Sequence, residues 1–309
     1  MTREPLVSIL MNCYNGEQYL KEAVDSVLDQ TYRNWELVFW DNQSTDRTAE
    51  IFKNYDDPRL KYFRAPEHTD LGGARARAWP HLSGEFVAVL DADDLWLPQK
   101  LERQVPLFDD PDVGLVISNT LFFNDRRAVP LYRTTYPPTG WVTDRLLEDY
   151  FVSLETLVVR RAAVERLPRA FDPDFSFIAD FDLVVRLSRI AKLALCPEVL
   201  AKWRVHGASD TWRRPRSFVE EKERWLRKQT EEDLSFAVKH SAALRSFSNK
   251  TLRTKAAHLI LSHQRRQAVR CLRQTGFDHW HAWVLLLLCA FPFADRVITH
   301  LYRRRSELR

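Results

Sequence analysis

The first 120 residues alternate between two kinds of hydrophobic pattern. Nearly continuous apolar runs at residues 7–11, 35–40 and 86–90 are typical of strands that are buried on both faces of a sheet. Residues 19–28 instead place their apolar side chains at helical spacing. Because strand, helix and strand follow one another, the pattern predicts an α/β fold with a Rossmann-like, mostly parallel central sheet flanked by helices.

Further elements are predicted up to about residue 120, and the composition changes after that point. The sequence predicts further elements at 48–55 (helix), 60–63 (strand), 98–108 (helix) and 113–118 (strand), with a short helix after Gly72-Gly73. Proline-interrupted loops are expected at 121–175, and a helical, basic region follows residue 214. We therefore expect a domain at 1–214 and a C-terminal helical extension at 215–309.

Polar residues follow three of the predicted strands, where each strand ends. They are Asn12 to Asn15, Asp41, and Asp91 to Asp94. Ligands bind open parallel sheets outside the carboxyl ends of the strands, so these loops are expected to line one crevice. There Asp41 could accept hydrogen bonds from a ribose or a base edge. Its alternative role is to cap a helix together with residues 44–46.

Three carboxylates crowd the turn Asp91-Ala92-Asp93-Asp94. Such groups repel one another, whereas a divalent ion would accept them and hold a diphosphate on its far side. The alternative is that they cap the helix that starts near Pro98. Because neither common glycine-rich phosphate loop is present, a metal ion at Asp93 is expected to neutralise the phosphates.

Charge is distributed unevenly along the 309 residues, although the net charge is only +4. Residues 215–309 carry 19 Lys and Arg against 9 Asp and Glu, whereas residues 1–214 carry 27 against 33. The basic tail predicts an anionic surface as partner, a phospholipid leaflet or nucleic acid. The acidic body argues against nucleic-acid chemistry, so no nucleic acid is expected at the main site.

The composition and the cysteines indicate a cytoplasmic globular protein. A hydrophobic content of 45% supports a folded chain, and the four cysteines have no short paired spacing that would indicate a zinc site or a disulfide framework. The amino terminus runs into the first strand without the apolar stretch of a secretory signal.

A series of short motifs runs through residues 5–210. They are Val7-Ser8-Ile9, Tyr14-Asn15, Ser26-Val27 with Gln30-Thr31-Tyr32, Asp41 with Ser44-Thr45-Asp46, Gly84-Glu85-Phe86, Leu90-Asp91-Ala92-Asp93-Asp94-Leu95-Trp96, Asp180-Phe181-Asp182-Leu183 with Arg186-Leu187, and Trp203-Arg204-Val205-His206. In this order they resemble the inverting, metal-dependent glycosyltransferases of family 2, which have the GT-A fold. The resemblance implies that residues 5–120 bind a nucleotide sugar and residues 121–214 bind the acceptor.

The resemblance also implies a role for each matching residue. Asp93 and His206 would coordinate Mg²⁺ or Mn²⁺, with Asp91 near the ion. Asp180 would be the general base, taking a proton from an acceptor hydroxyl as that oxygen attacks the anomeric carbon. The residues expected to bind the nucleotide sugar, with a UDP-sugar favoured, are Asn12, Tyr14, Asn15, Asp41, Arg75, Asp91 and Ala92.

Some positions depart from the usual family pattern and leave alternatives open. They are Asn42-Gln43 in place of Asp-Gly, Ala76 in place of Asn, and Ala179 in place of Glu. Asp182 therefore stays an alternative base, although residues two apart on a helix point about 200° apart. For Asp180 the alternative is a helix N-cap, and for His206 an ordinary surface or core histidine.

The acceptor and the membrane are predicted less directly. Tyr132, Tyr136 and Trp141 offer aromatic faces that suit sugar rings, with Trp141 a candidate platform, although such residues also form ordinary core. The apolar segment 282–294 is too short to cross a bilayer, and it could lie on an anionic membrane or pack in a core or a dimer contact. Membrane proximity suits a saccharide or polyprenyl-linked saccharide acceptor, as in lipopolysaccharide or capsule assembly.

Two rival classes remain. A nucleotidyltransferase could share the fold and the metal carboxylates, but it would normally show a glycine-rich loop where this chain has residues 12–16. A noncatalytic nucleotide-sugar-binding or membrane-scaffold protein would tolerate the loss of Asp93 and Asp180, whereas an enzyme would not.

Overall fold

The computed structural model describes residues 4–207, 214–275 and 283–287. The chain divides into two compact units, Met1–Thr143 with Tyr150–Gly207, and Asp144–Asp149 with Ala208–Arg309. The short segment at 144–149 was expected in the first domain. It belongs to the second unit because Asp144 Oδ1 lies 2.6 Å from His240 Nδ1 and Lys250 Nζ donates to Asp149 Oδ1 at 2.9 Å.

Within the described residues, the first unit is built on a nine-stranded mixed sheet in the order β3-β2-β1-β4-β8-β6-β9-β5, with β7 paired to β6. The strands are β1 Val7–Cys13, β2 Trp35–Asp41, β3 Leu60–Arg64, β4 Phe86–Val89, β5 Leu95–Trp96, β6 Val113–Asn124, β7 Arg127–Pro130, β8 Val158–Arg160 and β9 Lys192–Arg204. Strands β1 to β4 are parallel, and β9 is parallel to β6. Because β8 runs antiparallel to both β4 and β6, these two strands share one direction, and the predicted GT-A fold is confirmed.

Helices flank the sheet and form the described part of the second unit. They are α1 Leu20–Leu28, α2 Thr48–Lys53, α3 Leu71–Ala78, α4 Lys100–Gln104, α5 Thr143–Glu148, α6 Arg161–Val164, α7 Ala179–Ser188, α8 Pro215–Glu232, α9 Leu234–Lys239, α10 Ser241–Leu261 and α11 Arg265–Arg273. Helix α1 buries Leu20, Ala23, Val24 and Val27 against the apolar face of β1, as its spacing predicts.

Two predictions about elements need correction. The helix expected at 98–108 is a short α4 followed by a 3-10 helix at Val105–Asp109, because Pro106 lacks the backbone N–H that an α-helix requires. The expectation of loops at 121–175 is wrong, since β6 extends to Asn124 and forms a hairpin with β7. Strand β8 has only three residues and gave no periodic signal.

The second unit is helical in its described part. No helix in this part of the chain is long and apolar enough to cross a membrane. The segment predicted to meet the membrane lies outside the described residues, except for a helical stretch at 283–287 in which Trp283 and Leu287 are exposed.

Candidate active site

The carboxyl ends of four strands meet at one edge of the sheet. Residues Cys13 and Asp41 are register partners in β1 and β2, and β4 leads directly into the acidic turn. Strand β9 points the same way as β4, so its end brings Arg204 and His206 to this edge. The topology therefore assembles loops that are far apart in the sequence, as the crevice prediction requires.

Asp93 and His206 form the centre of this edge. Nε2 of His206 lies 2.8 Å from Oδ2 of Asp93, and the two side chains are 17% and 36% exposed respectively. The His206 ring also lies 5.0 Å from the ring of Tyr19. The predicted metal ligands are thus brought together, and solvent can reach them.

Arg204 fixes the acidic turn from β9, and sequence reasoning assigned it no role. Its backbone N–H donates to Asp94 Oδ1 at 2.8 Å, and its Nε donates to the carbonyl oxygen of Asp93 at 2.9 Å. Its guanidinium lies over the rings of Tyr19 and Phe123, 4.4 and 4.7 Å from their centroids. The available signal was its place two residues before His206.

The remaining acids of the turn are crowded. Arg75 Nη2 donates to Asp91 Oδ1 at 2.7 Å, and Arg75 Nε is buried without a partner among the described residues. Burial raises the pKa of Asp91, Arg75 opposes this, and the charges of Asp93 and Asp180 add to it. Burial and Asp93 hold the pKa of Asp94 well above its usual range. The three acids of the turn therefore outnumber the two guanidinium groups beside them, those of Arg75 and Arg204.

The side-chain atoms that could act as metal ligands fit Mg²⁺ or Mn²⁺. The Asp93 carboxylate and the His206 imidazole converge, and both are ligands that Mn²⁺ accepts. No group of three ligating side chains occurs in the described residues. Two protein ligands suffice for an ion that also takes substrate phosphate oxygens and water.

The two candidate bases differ sharply. Helix α7 is capped by Ile178, so Asp180 lies inside its first turn and does not serve as the N-cap. Tyr150 Oη donates to Asp180 Oδ2 at 2.8 Å. Asp182 is buried, and its carboxylate accepts from Arg186 at 2.9 and 2.6 Å. Asp182 is therefore held in an ion pair, whereas Asp180 accepts a hydrogen bond from a neutral hydroxyl group.

Residues 12–15 form a loop that is bonded to the loop after β2. Asn15 has φ +53°, its N–H donates to Ser44 Oγ at 3.0 Å, and its Oδ1 accepts from the Thr45 N–H at 2.8 Å. Tyr14 is 51% exposed and packs on the His68 ring, with centroids 4.3 Å apart. Both side-chain atoms of Asn12 are buried without a partner among the described residues, so Asn12 can still form hydrogen bonds.

Asp41 is fully buried at the end of β2. Its Oδ1 accepts from the Ser44 N–H at 2.7 Å, and its Oδ2 accepts from Tyr62 Oη at 2.5 Å. Burial and this second bond raise the pKa of Tyr62 to about 12. Asp41 therefore caps the turn after β2 and not the helix α2, whose N-cap residue is Arg47. Gln43 follows with φ +69°, where the family usually has glycine.

Two further residues place site elements. Ala92 is nearly buried within the acidic turn. A Cβ on Gly72 would lie 2.1 Å from the carbonyl oxygen of Phe175, so this glycine lets α3 pack against the segment that leads to α7. Gly72 therefore serves this packing contact.

A mostly parallel sheet with carboxylates and a histidine at the carboxyl ends of its strands matches the GT-A fold. The family model for glycosyl transferase family 2 matches residues 8–157. A glycosyltransferase of Rickettsia typhi, itself uncharacterized, is 31% identical over 219 residues, which are 68% of this chain and 67% of that protein. The chain belongs to glycosyltransferase family 2.

Two further proteins are similar to this chain, one in sequence and one in fold. The chain is 29% identical over 222 residues to the Escherichia coli UDP-Glc:α-D-GlcNAc-diphosphoundecaprenol β-1,3-glucosyltransferase, covering 71% of this chain and 84% of that protein. A mannosyltransferase from Pyrobaculum calidifontis, solved with GDP-Man and Mn²⁺, shares the fold with a TM-score of 0.61 at 20% identity, covering 96% of this chain and 84% of that one.

Proposed function

We propose that this glycosyltransferase transfers one sugar from a nucleotide-diphosphate sugar to an acceptor hydroxyl, with inversion at the anomeric carbon and with Mg²⁺ or Mn²⁺. The observation that carries the proposal is the Asp93–His206 pair at the carboxyl ends of the strands, with the charge of Asp180 near enough to Asp91 to help raise its pKa. Electrostatic proximity of Asp180 to Asp91 supports the idea that both reactants meet there.

The donor is bound by the loops at the ends of β1, β2 and β4. Asn12, with its unpartnered amide, and exposed Tyr14 are the groups offered to the nucleoside. Arg75, which forms an ion pair with Asp91, is the cation that we assign to the diphosphate. We favour a UDP-sugar, since the name of the E. coli relative specifies UDP-Glc.

The metal site follows from the donor atoms. When bound, the ion would stabilise the negative charge that develops on the departing diphosphate. Asp93 and His206 would hold it, with Asp91 nearby. Arg204 keeps the backbone of Asp93 in place for that role.

The chain's own chemistry is a single proton transfer. The acceptor hydroxyl gives its proton to Asp180 while its oxygen forms a bond to the anomeric carbon. The bond between that carbon and the diphosphate oxygen breaks on the opposite face, and the nucleoside diphosphate leaves with the electron pair. A single displacement of this kind inverts the configuration. Asp182 is held in its ion pair with Arg186 and takes no part.

For the acceptor we propose a saccharide on a polyprenyl diphosphate, in polysaccharide or lipopolysaccharide assembly at the cytoplasmic face of the membrane. The name of the E. coli relative supports a diphosphoundecaprenol acceptor.

The second unit supplies a surface for anionic lipid. Arg266, Arg270 and Arg273 follow one another along one face of α11, they are exposed, and they form no ion pair with a described carboxylate. Exposed Trp283 and Leu287 lie in the next described helical stretch. Exposed arginines and exposed apolar side chains in the same unit suit an anionic leaflet.

Co-sedimentation tests this surface. Vesicles of phosphatidylglycerol and phosphatidylcholine should retain the protein, and the variant R266E/R270E/R273E should lose most of that binding. The charge-preserving R266K/R270K/R273K serves as the control. Equal binding by the charge-reversed variant would overturn the assignment.

Titration calorimetry tests the donor site. We expect one of UDP, GDP, dTDP and CMP to bind in the presence of Mn²⁺, to bind much more weakly with EDTA, and to bind weakly to Asp93→Ala. Metal-independent binding without transfer would favour a noncatalytic nucleotide-sugar-binding protein. Release of pyrophosphate from a nucleoside triphosphate would identify a nucleotidyltransferase.

A further inference from the structure

Tyr150 provides the contact that holds the proposed base. Its hydroxyl donates to Asp180 Oδ2 at 2.8 Å, and the described residues make no other hydrogen bond to that carboxylate. Oδ1 of Asp180 is therefore left to accept the proton of a substrate. By contrast, the neighbouring Asp182 is bound by a guanidinium at two distances below 3 Å.

A tyrosine is suited to this contact because it stays protonated. Burial, followed by the nearby Asp180 charge, raises the pKa of Tyr150 well above its usual range. The hydroxyl therefore donates throughout the neutral range. A neutral donor favours the ionised carboxylate without pairing it with a full positive charge, which would weaken it as a base.

The backbone beside Tyr150 is linked to strand β6 by hydrogen bonds. The Asn119 side chain on β6 donates to the carbonyl oxygen of Tyr132 at 2.9 Å and accepts from the Tyr132 N–H at 3.0 Å. Tyr132 Oη then donates to the carbonyl oxygen of Phe151 at 2.5 Å. The Tyr150 ring packs edge-on against Phe181, with centroids 5.2 Å apart. These contacts tie the backbone beside Tyr150 to β6 and pack its ring against the helix that carries the base.

We infer that Tyr150 is a positioning residue for transfer: its hydroxyl holds Asp180 in the orientation and ionisation state in which it removes the acceptor proton. The inference rests on the proposed function. It predicts that loss of one hydroxyl impairs catalysis while donor binding is retained.

The test compares Tyr150→Phe with two variants. Tyr150→Phe keeps the ring contact with Phe181, and we expect kcat to fall about tenfold with an unchanged Kd for the nucleotide. The acidic limb of the kcat/KM profile should move to higher pH, because the ionised carboxylate has lost a donor. The matched control is Tyr55→Phe, which removes another tyrosine–aspartate bond in the same unit, from Tyr55 Oη to Asp25 Oδ1 at 2.7 Å. It should leave the profile unchanged.

Asp180→Asn separates the two possible failures. If Asp180→Asn turns over normally, the assignment of the base in the proposed function is wrong. If Asp180→Asn is inactive while Tyr150→Phe has the wild-type kcat and pH profile, the role of Tyr150 is wrong. A fall in kcat without movement of the acidic limb, together with a lower melting temperature, would reduce Tyr150 to a structural role and would also overturn the inference.

Discussion

The sheet buries carboxylates at both of its ends and surrounds them in opposite ways. At the amino ends of the strands, Glu36 accepts hydrogen bonds from Ser8, from Lys61, and from both the N–H and the hydroxyl of Ser83. Burial alone would raise the pKa of Glu36, but these donors lower it to about 2. At the carboxyl ends, burial and mutual repulsion raise the pKa of Asp91 and Asp94.

The difference distinguishes a structural carboxylate from a ligand-binding one. Glu36 is saturated by protein donors, and its lowered pKa corresponds to about 3 kcal/mol of stabilisation at neutral pH. The acidic turn instead costs stability until a cation arrives. Burial therefore does not identify a functional acid, whereas burial without sufficient donors does.

The largest expected effect follows from a substitution at the carboxyl ends of the strands. Asp93→Asn should lower kcat/KM about a thousandfold, on the order of 4 kcal/mol, since it removes a ligand of the ion while keeping the shape. Its melting temperature without metal should not fall, because one repelling charge is gone. A clear loss of stability with normal turnover would reverse the contrast between the two ends.

A substitution at the amino ends of the strands should instead lower stability and leave turnover unchanged. Glu36→Gln should lower the free energy of unfolding in urea by about 3 kcal/mol, because Lys61 loses its anionic partner, and turnover per folded molecule should be retained. Glu50→Gln, at an exposed pair with Arg47, is the control and should change stability by less than about 0.5 kcal/mol. Equal effects from both variants would contradict the contrast.

The pH dependence of stability should separate the two ends further. The folded pKa of Glu36 lies below its unfolded value, so its contribution is complete above about pH 4.5 and is lost as the pH falls towards 2. The folded pKa values of Asp91 and Asp94 are raised above their unfolded values. Both carboxyl groups therefore favour the folded state at low pH, and this stabilisation is lost as the pH rises. Mn²⁺ should therefore raise the melting temperature more at pH 8 than at pH 5, with about 2.7 kcal/mol available at a hundred times Kd. Differential scanning calorimetry with and without Mn²⁺ would measure this increase in melting temperature. A larger increase at pH 5 would argue against binding by these carboxylates.

The smallest effect concerns exposed aromatic residues. Trp141, 62% exposed, follows Gly140, which pairs with Leu193 near the amino end of β9. Tyr136, 49% exposed, packs on Tyr132, whose hydroxyl binds the backbone beside Tyr150. Tyr136→Ala should therefore raise the acceptor KM about fivefold, on the order of 1 kcal/mol, while Trp141→Ala leaves it unchanged. Steady-state kinetics with varied acceptor would check this, and the reverse result would restore Trp141 as the platform.

Local patterns were sufficient for the first half of the sheet. The apolar runs of β1, β2 and β4 and the polar residues after them could be identified from sequence, because strand and loop signals there lie within a few residues. Glu36 and Tyr150 could not be identified as special in this way. The partners of Glu36 come from three other segments, and Asp180 is 30 positions away from Tyr150. The domain limits and the roles of the site residues stay predictions until they are tested.

The pairing of Asp93 with His206 spans 113 positions, and that of Arg204 with Glu22 spans 182. During synthesis, the acidic turn is therefore exposed long before its histidine leaves the ribosome. Contacts of such high sequence separation form late, because closing the intervening chain costs entropy first. Metal affinity would then be a property of the finished unit, and an ion bound there would oppose unfolding of the whole sheet rather than of one loop.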